Sequence, residues 1–334
     1  MKDAGSCKAP VPIAERLAKQ GLDTEVWAEG PALDVVKKAG LPRIIQGNFS
    51  QDDFTWSWTD APAAIIVGSS NPMVIERKLA DTAQEFNVPL VVYSDVTRSY
   101  ERHTLNPKKS ILILTASEKE ATEARAKGFS ATAVGFHQAE VPPPNAETAR
   151  FVAEEHSKGN KVVLYATSGQ PARFEQELQL VLSCAAATAT PLRLIVKPNP
   201  KILGQAHPSG GTWKDWLYDT AGKAVVVSGP FERYADMTIA PSSGGLMAAA
   251  AGKIGVALRC AEVEKVLASE KGVLEWLNDL EQEFGMPTIR RTESLDPFLQ
   301  NPQPLKIVPK PLDIDLAMEA VAKFAGLSLK APAI

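Results

Sequence analysis

The sequence predicts an α/β protein of two Rossmann-like, doubly wound domains facing each other across a cleft. Three observations carry this. The chain has 334 residues, long for one doubly wound domain and comfortable for two of roughly 150 each. Short β-branched runs alternate with helical stretches through both halves, the pattern of a parallel sheet covered on both faces. The rhythm breaks at Val141-Pro142-Pro143-Pro144, where three prolines make a stiff, extended connector. The boundary is therefore set after Pro144, with domains over 1–144 and 145–334.

In the first half, strands are expected over 25–28, 43–46, 63–67, 90–93, 111–114 and 132–134. Helices are expected over 10–20, 31–39, 72–86 and 117–127. Gly21, Gly40 and Gly128 follow three of these helices, and Pro10, Pro31 and Pro72 open three; proline at the start and glycine past the end is the usual asymmetry. A doubly wound domain opens with an apolar strand. This chain begins almost at the loop, Gly5-Ser6-Cys7-Lys8, so that strand is expected to be missing or replaced by another element.

The second half restarts after a polar helix over 146–156. Strands are expected over 162–165, 192–196, 224–227, 237–240 and 255–258. Helices are expected over 173–187, 213–220, 245–251, 262–269, 273–284 and 314–324, the last packing back on the first domain. The halves repeat architecture, not residues.

Composition narrows the function classes. The chain is 45% hydrophobic and 22% charged, with a net charge of −3, ordinary for a globular protein. No long Lys/Arg stripe appears, so no extended nucleic-acid surface is expected. Cys7, Cys184 and Cys260 are odd in number and far apart, which argues for buried thiols in a reducing cytoplasm and against a disulfide framework or zinc site. No apolar run reaches the roughly 18 residues of a spanning helix, and no secretory signal is read at the N-terminus.

The strongest chemical signal is Ala240-Pro241-Ser242-Ser243-Gly244-Gly245-Leu246. A strand runs into two hydroxyls and two glycines, then an alanine-rich helix. Glycines let a ligand approach the backbone, and a helix N-terminus offers unpaired N–H groups with partial positive charge. The arrangement suits a diphosphate. It equally describes a capped turn with Ser242 or Ser243 as N-cap. A second loop, Thr167-Ser168-Gly169-Gln170-Pro171, follows the first strand of the second domain, and Lys197 stands at the end of the next strand, where ligands of open α/β sheets sit. Lys197 there is placed to neutralise phosphate.

In the first domain, Asp95 follows the strand ending at Tyr93. It is the only carboxylate directly at a strand's C-terminal end there, which makes it the leading general-base candidate, with His103 second. The competing role for Asp95 is a turn cap. His137, near the linker, is expected to be structural. No GxGxxG, Walker A or Gly-x-Ser-x-Gly motif occurs. Asp313-Ile314-Asp315 reads as helix N-terminal acids, not a metal clamp.

Residues 235–264 resemble the second domain of UDP-N-acetylglucosamine 2-epimerases and, more widely, the GT-B glycosyltransferase superfamily. Those epimerases carry a Ser-Gly-Gly loop, a helix, Gly-Lys, a buried strand and then Leu-Arg. Here these read Ser243-Gly244-Gly245, Gly252-Lys253 and Leu258-Arg259. The resemblance implies that Ser243, Gly244 and Gly245, with Ser242 beside them, hold a nucleotide diphosphate. It places Ser168 and Gly169 opposite an acceptor-side N-terminal domain, and offers Arg259 as a cleft residue. Two departures stand out. Glutamates that grip the ribose in the family are replaced by Met247-Ala248-Ala249, and the acid of a Gly-Asp pair by Ser70.

The function implied is a metal-independent glycosyltransferase with no cofactor beyond its nucleotide-sugar donor. The diphosphate would sit on Ser243–Gly245, assisted by Lys197 or Arg259. Asp95 or His103 would deprotonate an acceptor that the sequence does not name. A sugar-nucleotide epimerase or hydrolase of the 2-epimerase kind is the second reading, and a non-catalytic binding protein of the same fold the third. A homodimer is a compatible assembly.

Overall fold

The protein is described from a computed structural model, covering residues 7–47, 61–69, 75–169, 171–222, 224–241, 243–261, 264–265, 268 and 273–329. Gly5, Ser6, Ser70 and Ser242 lie outside the described residues. The chain divides into two compact units. The first comprises Met1–His137, Lys271–Trp276 and Leu312–Ile334, and the second Gln138–Glu270 and Leu277–Pro311.

In the first unit, α1 (Pro10–Lys19), β1 (Glu25–Ala28), α2 (Pro31–Lys38) and β2 (Arg43–Gln46) alternate, followed by β3 (Ile65–Val67), α3 (Ile75–Glu85), β4 (Leu90–Tyr93), β5 (Ile111–Thr115), α4 (Glu118–Ala126) and β6 (Ser130–Ala133). Every strand pairing among the described residues of this unit is parallel. Among the described residues β1 pairs with β2, and a separate sheet runs β3-β4-β5-β6. Every residue of β4 and β5 is buried, as expected of continuous apolar runs with both faces covered. The last helix, α12 (Ile314–Ala325), belongs to this unit. Its Ala317, Met318 and Val321 join Ile13 and Leu17 of α1 over Val91, Tyr93, Leu112 and Leu114.

The second unit contains α5 (Ala146–Ser157), β7 (Lys161–Ala166), α6 (Pro171–Ala186), β8 (Leu192–Lys197), α7 (Pro200–Leu203), α8 (Trp213–Thr220), β9 (Val225–Val226), β10 (Met237–Ala240), α9 (Gly244–Ala250), β11 (Ile254–Leu258) and β12 (Thr288–Ile289). In the chain, α10 (Val273–Gln282) falls between β11 and β12, its residues to Trp276 counted with the first unit and those from Leu277 with the second, and after β12 comes α11 (Asp296–Gln300). One parallel six-stranded sheet has the order β12-β11-β10-β7-β8-β9. Its core includes Val163, Tyr165, Phe174, Leu178, Val196, Ile239, Val256 and Leu258. Burial of each large apolar side chain contributes about 1.5–3 kcal/mol.

The strand order positions the site. From β7 the chain builds outward to β8 and β9, then returns to the other side of β7 to add β10, β11 and β12. The order therefore reverses between β7 and β10. The crevice beyond the strand ends at such a reversal is where open α/β sheets bind ligands.

Some elements differ from the sequence expectation. The edge strand β9 is two residues long because Ser228-Gly229-Pro230 turns the chain away. α7, β12 and α11 are too short for periodicity to reveal. Most of the helix expected over 262–269 lies outside the described residues.

Candidate functional site

The Ser-Gly-Gly segment lies at the strand-order reversal. Every residue of β10 is buried, and α9 starts at Gly244. Ser243 occupies the N-cap position, but its own backbone is already helical, with φ −63° and ψ −20°, and its hydroxyl makes no capping bond. The first amides of a helix have no intrahelical acceptor. Among the described residues nothing else accepts from Ser243, Gly244 or Gly245. Elsewhere caps are made: Ser117, Asn145, Thr212 and Asp313 each accept from a first-turn amide of their helix.

The glycines let α9 dock closely. A Cβ on Gly244 would lie 2.9 Å from Cβ of Ala166, at the end of β7, and 3.2 Å from Cβ of Ala240. A Cβ on Gly255 would lie 2.1 Å from the Gly245 carbonyl oxygen. The start of α9 is thereby seated on β7, β10 and β11.

The neighbouring loop after β7 is laced in place. The Thr167 N–H donates to the Lys197 carbonyl at 3.0 Å, and the Asn199 N–H donates to Thr167 Oγ1 at 2.8 Å. Ser168 is buried, and both its hydroxyl and its N–H donate to the Glu177 carboxylate. A Cβ on Gly169 would meet Asn199 Nδ2 at 2.9 Å.

Both expected cations at this edge already have carboxylate partners. Lys197 Nζ donates to both oxygens of buried Glu232, at 2.7 and 3.0 Å. Arg259 pairs with Glu264 at 2.6 Å and Glu281 at 3.1 Å, and donates to Asn278 at 2.9 Å. Sequence reasoning passed over Arg173 at the third position of α6. It is only 6% exposed and stands 3.8 Å from Glu177 Oε1. Its signal was an arginine five residues after Ser168, within the first helical turn.

In the first unit, Asp95 sits half-buried in the loop after β4. The Ser99 hydroxyl and the N–H groups of Asp95 and Val96 donate to its carboxylate. Burial raises its pKa above the usual carboxylate value, and the Arg102 charge opposes that rise. The loop is tightly built. Arg98 has φ +60°, rare for a non-glycine residue. Buried Glu120 anchors it, its Oε1 accepting from the Ser94 hydroxyl at 2.6 Å and the Arg98 N–H at 2.9 Å. Asp95 thus accepts hydrogen bonds within its own turn, in keeping with the turn-cap role.

His103 is placed differently. It is buried, and its Nε2–H donates to the Gly68 carbonyl at 3.1 Å. Burial lowers its pKa to about 4, so it is neutral near pH 7 and tied to the backbone. His137 is likewise buried, with Nδ1 3.2 Å from the Tyr93 hydroxyl and a pKa lowered to about 3 by burial. Asp313 caps α12 and Asp315 pairs with Arg16 at 3.1 Å. The three cysteines are free and buried. Among the described residues no three His, Cys, Asp or Glu side chains gather as a metal-binding group, and no helix is long and apolar enough to cross a membrane.

No family model and no curated protein matches the sequence. Solved structures do match. A protein of Listeria monocytogenes assigned as a UDP-N-acetylglucosamine 2-epimerase superposes with a TM-score of 0.57 at 11% identity, covering 98% of this chain and 90% of that one. Anabaena Alr3699/HepE, solved in complex with UDP, gives a TM-score of 0.53 at 12% identity over 95% and 94%. The chain has the GT-B fold. The GT-B likeness runs through both units, where matching motifs occupied only about thirty residues.

Proposed function

We propose that the protein is a GT-B glycosyltransferase that uses a nucleotide-diphosphate sugar as donor without a metal ion. One observation supports this most: the start of α9, where among the described residues Ser243, Gly244 and Gly245 show no acceptor for their amides, lies beside the strand-order reversal of the second sheet. Those amides and the helix dipole suit an anion, and a leaving diphosphate gains negative charge as the glycosidic bond breaks. The Ser168-Gly169 loop flanks the same reversal from β7. Anabaena HepE, of the same fold, was solved with UDP bound.

Asp95 is the base proposed for the acceptor hydroxyl. Its burial-raised pKa brings it nearer the operating pH than an ordinary carboxylate, which favours proton transfer. His103 is the weaker choice, since its Nε2–H is committed to Gly68.

The test is product analysis with UDP-, GDP-, CDP- and dTDP-sugars, each with and without acceptor sugars, alongside thermal shift for binding. A transferase consumes donor when acceptor is present and leaves it largely intact otherwise. Acceptor-independent conversion of the donor would instead identify an epimerase or hydrolase. Absence of any thermal shift across the panel would remove the nucleotide-sugar reading.

A further inference from the structure

We infer that the second unit carries a small pocket for one uncharged sugar ring, between the start of α6 and the loop that leads into α8. The pocket has a volume of about 230 Å³ and is lined by Pro171, Glu175, Gln205, Ala206, Pro208 and Trp213. That is below the roughly 300–1,000 Å³ of sites for drug-sized ligands and suits a single ring. Pro171 and Glu175 stand four apart on α6 and so share a face. The other residues come from a short hairpin after α7 and from the first position of α8. Ala206 and Thr212 bridge in antiparallel fashion, and Gly210 and Gly211 turn the chain with φ of +101° and +70°. Thr212 then closes a capping box with Asp215, which starts α8 at Trp213.

The wall is braced from within the protein. His207, 8% exposed, packs edge-to-face against Trp213 with ring centroids 4.3 Å apart, and stacks on Trp216 at 5.1 Å. Trp213 also meets Phe174 of α6 at 5.6 Å. The Ser209 N–H donates to His207 Nδ1 at 3.1 Å, so in the neutral ring the proton sits on Nε2. That Nε2 is buried with no hydrogen-bond partner among the described residues. A buried donor without an acceptor is costly, and a ligand oxygen entering beside Trp213 relieves that cost.

The lining selects the ligand class. Glu175 alone among the lining residues is charged, which disfavours phosphate and other anions. Trp213 is the one aromatic side chain among them and is 4% exposed, so no cage of aromatic faces awaits a quaternary ammonium. Pro171, Ala206, Pro208 and Trp213 supply apolar contact, while Glu175 accepts hydrogen bonds and Gln205 both donates and accepts. A sugar ring has apolar C–H faces rimmed by hydroxyls that do both. Such a pocket deepens the sugar-transfer reading without resting on the diphosphate.

The experiment is amide NMR titration of the full chain, without nucleotide, with methyl β-D-glucopyranoside, methyl α-D-mannopyranoside and methyl N-acetyl-β-D-glucosaminide. Choline and inorganic phosphate serve as charged probes, UDP is titrated separately, and circular dichroism is the folding control. A glycoside is expected to shift the amides of 205–213 with a Kd on the order of 1 mM, the scale one ring supports. Ala206→Arg fills the pocket from an exposed position and is expected to abolish those shifts. Glu175→Ala and His207→Phe are each expected to weaken binding about three- to tenfold, the scale of one hydrogen bond. Glu175 and Ala206 are exposed, so their variants decide the matter even if His207→Phe fails to fold. Glycoside binding that survives unchanged in a folded Ala206→Arg overturns the proposal, as does choline or phosphate shifting 205–213 in place of a glycoside. A wild type that binds UDP but no glycoside overturns the pocket and leaves the diphosphate reading standing. One that binds a glycoside at 205–213 but not UDP supports the pocket and removes that reading.

Discussion

Gly255 shows how little space separates α9 from the sheet beneath it. A methyl there would meet the Gly245 carbonyl at 2.1 Å, while one on Gly204 meets nothing within 4 Å. Gly255→Ala is expected to cost at least about 1–3 kcal/mol by overpacking, and Gly204→Ala within about 0.5 kcal/mol of zero; urea denaturation checks both. Asp95→Asn is expected to lower kcat about 10²–10⁴-fold with little change in donor affinity. In the wild type, rate should rise with pH through a limb displaced above the ordinary carboxylate range, because burial raises the Asp95 pKa. Equal loss of donor binding in Asp95→Asn would contradict that assignment. His103 gives a separate pH signature. Its folded pKa of about 4 lies below the ordinary 6.5, so the unfolded chain binds the proton more readily. The resulting stability is fully present above pH 6.5 and is lost as pH falls toward 4. His103→Gln should flatten the stability profile across that window in urea titrations, with His137 still contributing in the same direction.

At the scale of elements, the loop after β4 and the start of α9 follow opposite rules. The β4 loop satisfies its donors internally: Glu120 serves both Ser94 and Arg98, and holds Arg98 in a left-handed conformation. Glu120→Ala is therefore expected to cost about 1–3 kcal/mol through stranded donors and to loosen Asp95, visible as faster amide exchange over 94–99. Unchanged exchange there would show that Glu120 is not the anchor. At the start of α9 no acceptor for the first amides is found among the described residues. That difference was half legible in the sequence. Ser243-Gly244-Gly245 announced a helix start that admits close approach, because glycine and a strand-to-helix transition are local signals. Whether the serine would cap the helix was not local, since it depends on the backbone angles that docking against Ala166 and Val256 imposes. The engagement of Lys197 and Arg259 was equally hidden. Their partners Glu232 and Glu281 lie 35 and 22 residues away, and only folding brings them together. Arg173 was passed over because nothing local in the sequence marks an arginine in a first helical turn as buried.

For the whole molecule, alternating patterns made two Rossmann-like units legible, since each fully buried strand is a continuous apolar run. Strand order was not written in those runs. The reversal between β7 and β10 comes from long-range pairing, Met237 with Val163 and Ile239 with Tyr165, and it makes neighbours of two Ser/Gly loops that lie about 75 residues apart in the chain. The short partners β12 and β9 gave no periodic signal. The partition of the first unit's strands into two parallel sheets likewise had no signature in residue pattern. The account's central claim is that a diphosphate binds at this reversal. A crystal structure of the full chain with UDP tests it most directly. The account predicts phosphate oxygens within hydrogen-bonding distance of the Ser243, Gly244 and Gly245 amides, with the Ser168-Gly169 loop alongside. Well-ordered UDP bound elsewhere, with those amides facing only water, would contradict it.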